Sequence, residues 1–110
     1  MEKVFTNSDL QRMLFSREPV LAVFYASWCP FCQRFIPVVI ERVKETIIQA
    51  VLVNLDDTSN PLWEAYGISV VPTIFYFSGQ TTRRLDGVLG IGISERQLGS
   101  FLKSIKLDSY

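Results

Sequence analysis

The feature that most constrains this chain is a hydrophobic run that ends in a pair of cysteines and the start of a helix. Residues 20–26 are hydrophobic throughout, which predicts a strand with both faces covered. The only two cysteines, Cys29 and Cys32, follow directly, and Pro30 between them is favoured at the first position of a helix. The sequence therefore predicts a strand, a dithiol and a helix in direct succession.

A dithiol at the start of a helix is suited to redox chemistry. The helix N-terminus presents unpaired backbone N–H groups and the positive end of the helix dipole, and both favour a thiolate over a thiol at Cys29. The C-x-x-C spacing lets the sulfur of Cys32 reach back by one turn and close a disulfide with Cys29. We therefore predict that Cys29 and Cys32 form a catalytic pair.

Three other interpretations of the cysteine pair have less support. A zinc site needs more ligands, and the chain has neither a histidine nor a second cysteine pair. Inert core cysteines belong within an apolar face rather than at a junction of strand and helix. A structural disulfide across so short a loop restricts the unfolded chain little. We predict no metal and no cofactor.

Composition predicts one domain over residues 1–110, since 48% of the 110 residues are hydrophobic and supply a core. The formal net charge is zero without a basic cluster, which predicts no binding to nucleic acid or to an anionic membrane. The first residues lack the apolar core of a signal peptide, and the longest apolar run is too short to span a bilayer. With cysteines at a catalytic spacing, these features predict a cytoplasmic location.

The remaining pattern alternates between strands and helices. The predicted strands cover residues 3–5, 20–26, 51–55, 73–77 and 82–89. The predicted helices are one capped by Asn7 or Ser8, one over residues 30–46 that contains Pro37, two turns between Asn60-Pro61 and Gly67, and a last helix opened by the capping box at 94–97. This order predicts an α/β fold, a mixed sheet with helices on both faces.

Three further segments form a pattern with the cysteine pair. Residues 24–29 read F-Y-A-S-W-C, Pro37 follows five residues after Cys32, and residues 66–73 combine Y-G-I with V-P-T. Together they resemble the thioredoxin family over essentially the whole chain. The resemblance implies a thioredoxin fold in which the Val71–Pro72 peptide bond is cis and lies beside the dithiol.

The resemblance also implies roles for residues around the dithiol. Cys29 is the nucleophile, with an exposed sulfur, and Cys32 resolves the mixed disulfide that Cys29 forms with a substrate. The predicted substrate-binding residues are Trp28, Pro30, Phe31, Val71 and Pro72, with Trp28 and Phe31 exposed. The partners it implies are proteins that carry disulfides and a thioredoxin reductase, and the protein itself is predicted to be a monomer. Asp56 and Asp57 are predicted to be loop residues without a catalytic role.

Two departures from the thioredoxin pattern leave alternatives open. The motif is C-P-F-C, which is more similar to the C-P-Y-C of glutaredoxins than to the C-G-P-C of thioredoxins. Val23 and Leu52 stand where thioredoxins have a buried aspartate and its lysine. The alternatives are a glutaredoxin-like enzyme that depends on glutathione, a disulfide oxidase or isomerase, and a binding module in which the thiols are secondary.

Overall fold

A five-stranded mixed sheet forms the centre of the molecule, and its middle strand leads into the dithiol. The computed structural model describes residues 2–15 and 19–108, the last three as backbone only. The strands are β1 (Glu2–Val4), β2 (Val20–Tyr25), β3 (Gln49–Asn54), β4 (Thr73–Ser78) and β5 (Thr81–Asp86). Their order in the sheet is β1-β3-β2-β4-β5. The first three are mutually parallel, whereas β4 and β5 are antiparallel to their neighbours.

Within the described residues, four helices cover the two faces of this sheet. They are α1 (Asn7–Leu14), α2 (Pro30–Val43), α3 (Leu62–Ala65) and α4 (Glu95–Asp108). Residues 20–24 of β2 alternate between two hydrophobic clusters, one shared with α1 and α3 and the other with α2 and α4. All six residues of β2 are buried, because both of its faces are covered. The predicted α/β fold with helices on both faces is therefore confirmed.

The prediction for the helix that follows the dithiol is wrong at its C-terminal end. The helix α2 ends at Val43 rather than at residue 46. The hydroxyl of Thr46 donates to the carbonyl of Val43 at 2.8 Å and accepts from the backbone N–H of Ile48 at 3.1 Å. These two hydrogen bonds close a turn that competes with a further helical turn.

The last strand is also shorter than predicted. β5 covers Thr81–Asp86 rather than residues 82–89. Beyond it, Val88 donates to the carbonyl of Gly92 at 3.0 Å, and Gly92 donates back to Val88 at 2.8 Å. This pair of bonds closes a tight loop that has left the sheet, and the loop reaches the dithiol helix.

The cap of α1, the length of α3 and the bounds of β1 differ from the prediction. The hydroxyl of Thr6, rather than Asn7 or Ser8, caps α1 by accepting from the backbone N–H of Asp9 at 3.2 Å. α3 has one turn instead of two, although the Asn60 side chain accepts from Leu62 at 3.0 Å and Gly67 has the positive φ expected after a helix. β1 begins and ends one residue earlier than predicted. The capping box at Ser94 and Gln97 is confirmed by hydrogen bonds of 2.9 and 3.1 Å.

Candidate active site

The N-terminus of α2 holds both cysteines at the predicted positions. Cys29 is the N-cap residue, with extended backbone angles of φ −94° and ψ 117°, and its carbonyl accepts from Gln33 at 3.1 Å. Pro30 is the first helical residue, and Cys32 is therefore the third. The Cys29 side chain makes no capping hydrogen bond, but it lies at the N-terminal end of α2, where the helix dipole favours negative charge.

The two thiols differ in exposure, and both are free. Cys29 is 6% exposed and Cys32 is fully buried. The resemblance implied that the Cys29 sulfur is exposed, and this prediction is wrong. The Cys29 thiol instead donates to the carbonyl of Val71 at 3.6 Å, and this segment covers it.

The environment of Cys32 holds that cysteine in its protonated form. Burial raises the pKa of the Cys32 thiol from an ordinary value of 9.0 to about 12. A hydrogen bond with Cys29 and the negative charges of Cys29 and Asp56 act in the same direction, while a backbone hydrogen bond with Ala26 opposes them. At neutral pH Cys32 therefore carries its proton.

The turn before Cys29 is fixed by hydrogen bonds from two other elements. The carboxylate of Asp56 accepts from the backbone N–H and from the hydroxyl of Ser27, each at 2.6 Å. The Gln33 side chain donates to the Ser27 carbonyl at 2.8 Å, and the Trp28 indole donates to the Asp56 carbonyl at 3.3 Å. The bonds from Ser27 lower the pKa of the Asp56 carboxyl, which remains ionised. Trp28 itself is 55% exposed, as predicted.

This role of Asp56 was missed by sequence reasoning, which predicted only a loop residue. A signal for it exists, because β2 and β3 are parallel neighbours and their carboxyl ends meet at one edge of the sheet. Asp56 lies just after β3 and Ser27 just after β2. An acidic residue and a hydroxyl residue at adjacent strand ends are close enough to form a hydrogen bond.

The segment opposite Cys29 contains the cis peptide bond between Val71 and Pro72, as the resemblance implied. Both residues are buried. Gly87 packs against this segment so closely that a Cβ atom there would lie 2.3 Å from the Pro72 carbonyl oxygen. Sequence reasoning missed Gly87, although it lies inside the predicted strand 82–89, where a glycine often marks a bulge or a close backbone approach.

Phe31, the second residue between the cysteines, is half-buried rather than exposed as predicted. The loop that closes between Val88 and Gly92 covers one side of it, and a Cβ atom on Gly92 would lie 2.9 Å from the Phe31 Cβ. The Arg34 guanidinium lies 5.2 Å from the centroid of the Phe31 ring. Two other residues of this loop remain well exposed, Leu89 at 82% and Ile91 at 67%.

An apolar pair occupies the positions of the charged pair in the thioredoxin pattern. Val23 and Leu52 are register partners on β2 and β3, and Val23 is fully buried opposite Ile74. The site thus has no buried carboxylate at position 23. In the described part of the chain, no three His, Cys, Asp or Glu side chains gather at a spacing suited to a metal ion. No helix among residues 2–15 and 19–108 is long and apolar enough to cross a bilayer.

Comparisons of this sequence with a family model and with individual proteins point to the same family. The Thioredoxin family model matches residues 2–103. A thioredoxin of Pyropia yezoensis is 39% identical over 93 residues, which cover 82% of this chain and 83% of that protein. A thioredoxin of Mycobacterium bovis is 30% identical over 105 residues, with coverages of 94% and 90%. Other relatives are longer: the match covers 64% of a probable thioredoxin of Caenorhabditis elegans and 38% of a chloroplastic thioredoxin of Oryza sativa.

Solved structures agree with this fold. Fasciola hepatica thioredoxin superposes with a TM-score of 0.79 at 21% identity and covers 94% of this chain and 98% of its own. A mutant thioredoxin of Halobacterium salinarum gives a TM-score of 0.76 at 28% identity, with coverages of 94% and 88%. The sheet order, the helical dithiol and these matches lead to one conclusion: this chain belongs to the thioredoxin family.

Proposed function

We propose that this protein is a thiol–disulfide oxidoreductase that reduces disulfides of other proteins through Cys29 and Cys32. The observation that carries the proposal is the asymmetry of the dithiol. Cys29 caps a helix and keeps a small exposure beside Trp28, whereas Cys32 is fully buried and protonated. Membership of the thioredoxin family supports the general redox role.

In the first step the Cys29 thiolate attacks one sulfur of the substrate disulfide. The substrate S–S bond breaks, and a mixed disulfide forms between Cys29 and the substrate. The other substrate cysteine leaves as a thiolate and takes up a proton. Cys29 lies at the N-terminus of α2, where the helix dipole favours the negative charge of an attacking sulfur.

In the second step Cys32 loses its proton and attacks the Cys29 sulfur. The bond between Cys29 and the substrate breaks, the second substrate thiolate leaves and is protonated, and a Cys29–Cys32 disulfide remains. The substrate has gained two electrons and two protons. Because position 23 is Val23 rather than a carboxylate, the proton of Cys32 passes to the leaving thiolate or to water.

Substrate binding in this proposal uses the residues that surround Cys29. Trp28 is 55% exposed and Pro30 is also exposed, so both are available to a docking protein. The carbonyl of Val71 faces the Cys29 sulfur at 3.6 Å. A substrate strand that brings its own sulfur to Cys29 therefore lies along Val71 and Pro72, and Phe31 borders it on the helix side.

A thioredoxin reductase is the proposed electron donor. One relative, from Mycobacterium leprae, is named as a bifunctional thioredoxin reductase/thioredoxin; it is 30% identical over 95 residues, which make up 21% of that protein. The pairing of the two activities in that relative supports a reductase as partner here. The monomeric state and the cytoplasmic location stay predictions.

The proposal is tested by reduction of a protein disulfide with dithiothreitol as the electron source. Wild type should accelerate the reaction, and the double variant Cys29→Ser, Cys32→Ser should not. Equal rates for wild type and the double variant would refute catalysis by the dithiol. The double variant also tests the binding-module alternative. That alternative predicts that the protein keeps its biological function without the two thiols.

A second candidate, a glutathione-dependent enzyme, is favoured by the C-P-F-C motif. Equilibration in graded glutathione buffers separates the two, with the free thiols counted by mass after alkylation. Thioredoxin has a potential of about −270 mV, and glutaredoxins lie at about −200 to −230 mV. A value near the former supports a dedicated reductase, and a value near the latter supports glutathione as the donor.

A further inference from the structure

A cavity of about 190 Å³ opens beside Phe31, between α2 and the segment that leads into α4. Neither Trp28 nor Val71, which form the proposed substrate contacts around Cys29, lines this cavity. Phe31 belongs to both regions, because its ring lines the cavity and its backbone lies between the two cysteines. A group bound in the cavity is therefore adjacent to the reactive motif.

The walls of this cavity are mainly apolar. Phe31, Phe35 and Val38 follow i, i+4, i+7 spacing on one face of α2, and Ile91 and Ile93 form the opposite wall. Phe35 and Ile93 are buried, whereas Ile91 is 67% exposed at the opening. A dry cavity of about 150 Å³ already accepts a benzene ring. This cavity therefore has room for one large apolar side chain, such as leucine or phenylalanine.

The opening of the cavity carries an uncompensated positive charge. The guanidinium of Arg34 lies over the Phe31 ring and has no ion-pair partner among the residues that the structure describes. Glu95 also lines the cavity, but its carboxylate is paired with Arg42 at 3.2 Å. The free charge at the opening thus favours a carboxylate on the group that binds.

The loop backbone holds the Phe31 wall in place. Gly92 has φ +84°, and its position leaves no space for a Cβ atom, which would lie 2.9 Å from the Phe31 Cβ. The hydrogen bonds between Val88 and Gly92 close this loop. The Gly92 backbone therefore packs directly against Phe31, whose ring lines the cavity.

From these contacts we infer that the cavity is a specificity subsite for the disulfide-bearing substrate protein. It takes a large apolar side chain that has an aspartate or glutamate as its neighbour in the chain, the carboxylate pairing with Arg34. Glutathione has carboxylates but no apolar side chain, and it would leave the apolar base unfilled. This inference rests on the proposed reduction of protein disulfides.

The test uses intramolecular peptide disulfides that differ at one dipeptide: Leu-Asp, Ser-Asp or Leu-Lys. The dipeptide is moved stepwise away from the reactive cysteine, and the rate of thiol release is measured at each spacing. At the best spacing we expect Leu-Asp to react about tenfold faster than Ser-Asp, because a leucine side chain is removed from water. It should react about threefold faster than Leu-Lys, and that preference should fade as salt is raised.

Matched variants separate the subsite from general effects on reactivity. Arg34→Glu should reverse the preference between Leu-Asp and Leu-Lys, whereas Lys103→Glu, an equal charge change on an exposed part of α4, should keep it. Ile91→Ser should reduce the preference for Leu over Ser to about twofold or less. Leu89→Ser, in the same loop but outside the cavity lining, should leave it unchanged. Rate ratios cancel any change in the reactivity of Cys29 itself.

The outcomes distinguish this inference from the proposed function. If wild type reduces every peptide at the same rate at all spacings, or if Arg34→Glu and Ile91→Ser keep the wild-type ratios, the subsite is refuted and the oxidoreductase remains. If wild type reduces none of the peptides and no protein disulfide, the proposed function fails and the subsite fails with it.

Discussion

The two sides of the dithiol are held by different forces. On the Trp28 side, directional hydrogen bonds fix the turn at Ser27, which donates to the Asp56 carboxylate and accepts from the Gln33 side chain. On the Phe31 side no such network is present among the described residues: the Gly92 backbone packs against Phe31, and the Arg34 guanidinium lies 5.2 Å from the ring centroid. Hydrogen bonds fix direction, while apolar contact supplies area and is non-directional. The first side therefore sets the geometry of Cys29, and the second is suited to bind a partner.

The largest expected effect separates the two sulfurs themselves. Cys29→Ser should reduce turnover of a protein disulfide by about a thousandfold or more, because it removes the nucleophile. Cys32→Ser should instead accumulate a mixed disulfide, because Cys29 still attacks and nothing resolves the product. Non-reducing electrophoresis and mass spectrometry measure the adduct. Turnover that survives in Cys29→Ser, or an adduct that forms on Cys32, would reverse the assignment.

The next effect tests the apolar side. Gly92→Ala and Gly90→Ala both place a side chain at positive φ, of +84° and +77°, but only the former also meets Phe31. We expect Gly90→Ala to lower the free energy of unfolding by about 1 kcal/mol and Gly92→Ala by about 2 kcal/mol or more. Urea unfolding measures both. Equal losses would mean that Phe31 moves away freely and that the loop does not hold it.

A smaller effect follows from the burial of Cys32. The folded protein keeps the Cys32 proton up to a pKa of about 12, whereas the unfolded chain releases it near the ordinary value of 9.0. Between these values the folded state binds more protons, so stability falls as pH rises. Reduced wild type should therefore lose about 6 °C more in Tm than Cys32→Ala when the pH is raised from about 8 to about 10. Parallel Tm curves would show that Cys32 titrates normally in the fold.

The smallest effect tests the hydrogen-bonded side. Ser27→Ala removes a hydroxyl that donates to Asp56 at 2.6 Å, and Ser59→Ala removes one that donates to Asp57 at the same distance. Only the first bond holds the turn before Cys29. In a Cys32→Ser background, we expect the rate of attack by Cys29 to fall about threefold for Ser27→Ala and to stay constant for Ser59→Ala. The same rate in both variants would show that the Ser27–Asp56 hydrogen bond does not affect attack by Cys29.

Sequence and local chemistry were sufficient for the centre of the site. The buried strand β2, Cys29 as N-cap and Cys32 as third helical residue follow from a hydrophobic run, a proline and a helix pattern, all within a short segment. The cis bond at Pro72 came from the family resemblance alone. The pattern of alternating elements also predicted the α/β fold, because each helix and strand shows its periodicity locally.

The remaining features depend on residues that are far apart in the chain. Ser27 and Asp56 are 29 positions apart, and their bond exists only because β2 and β3 are neighbours. The half-burial of Phe31 depends on Gly92, and the burial of the Cys29 sulfur depends on Val71. Such long-range approaches are set by the sheet order, which local periodicity does not specify. The end of α2 is a local exception, because it depends on a hydrogen bond from the Thr46 side chain to Val43, three residues earlier, that competes with the helix.

The most direct test of the asymmetric dithiol is competitive alkylation of the reduced protein. A substoichiometric amount of iodoacetamide is added at neutral pH, and the label is located by peptide mass mapping. We expect that Cys29 is labelled and that Cys32 reacts at least about tenfold more slowly, because only the thiolate reacts and Cys32 keeps its proton. Equal labelling, or faster labelling of Cys32, would contradict the account.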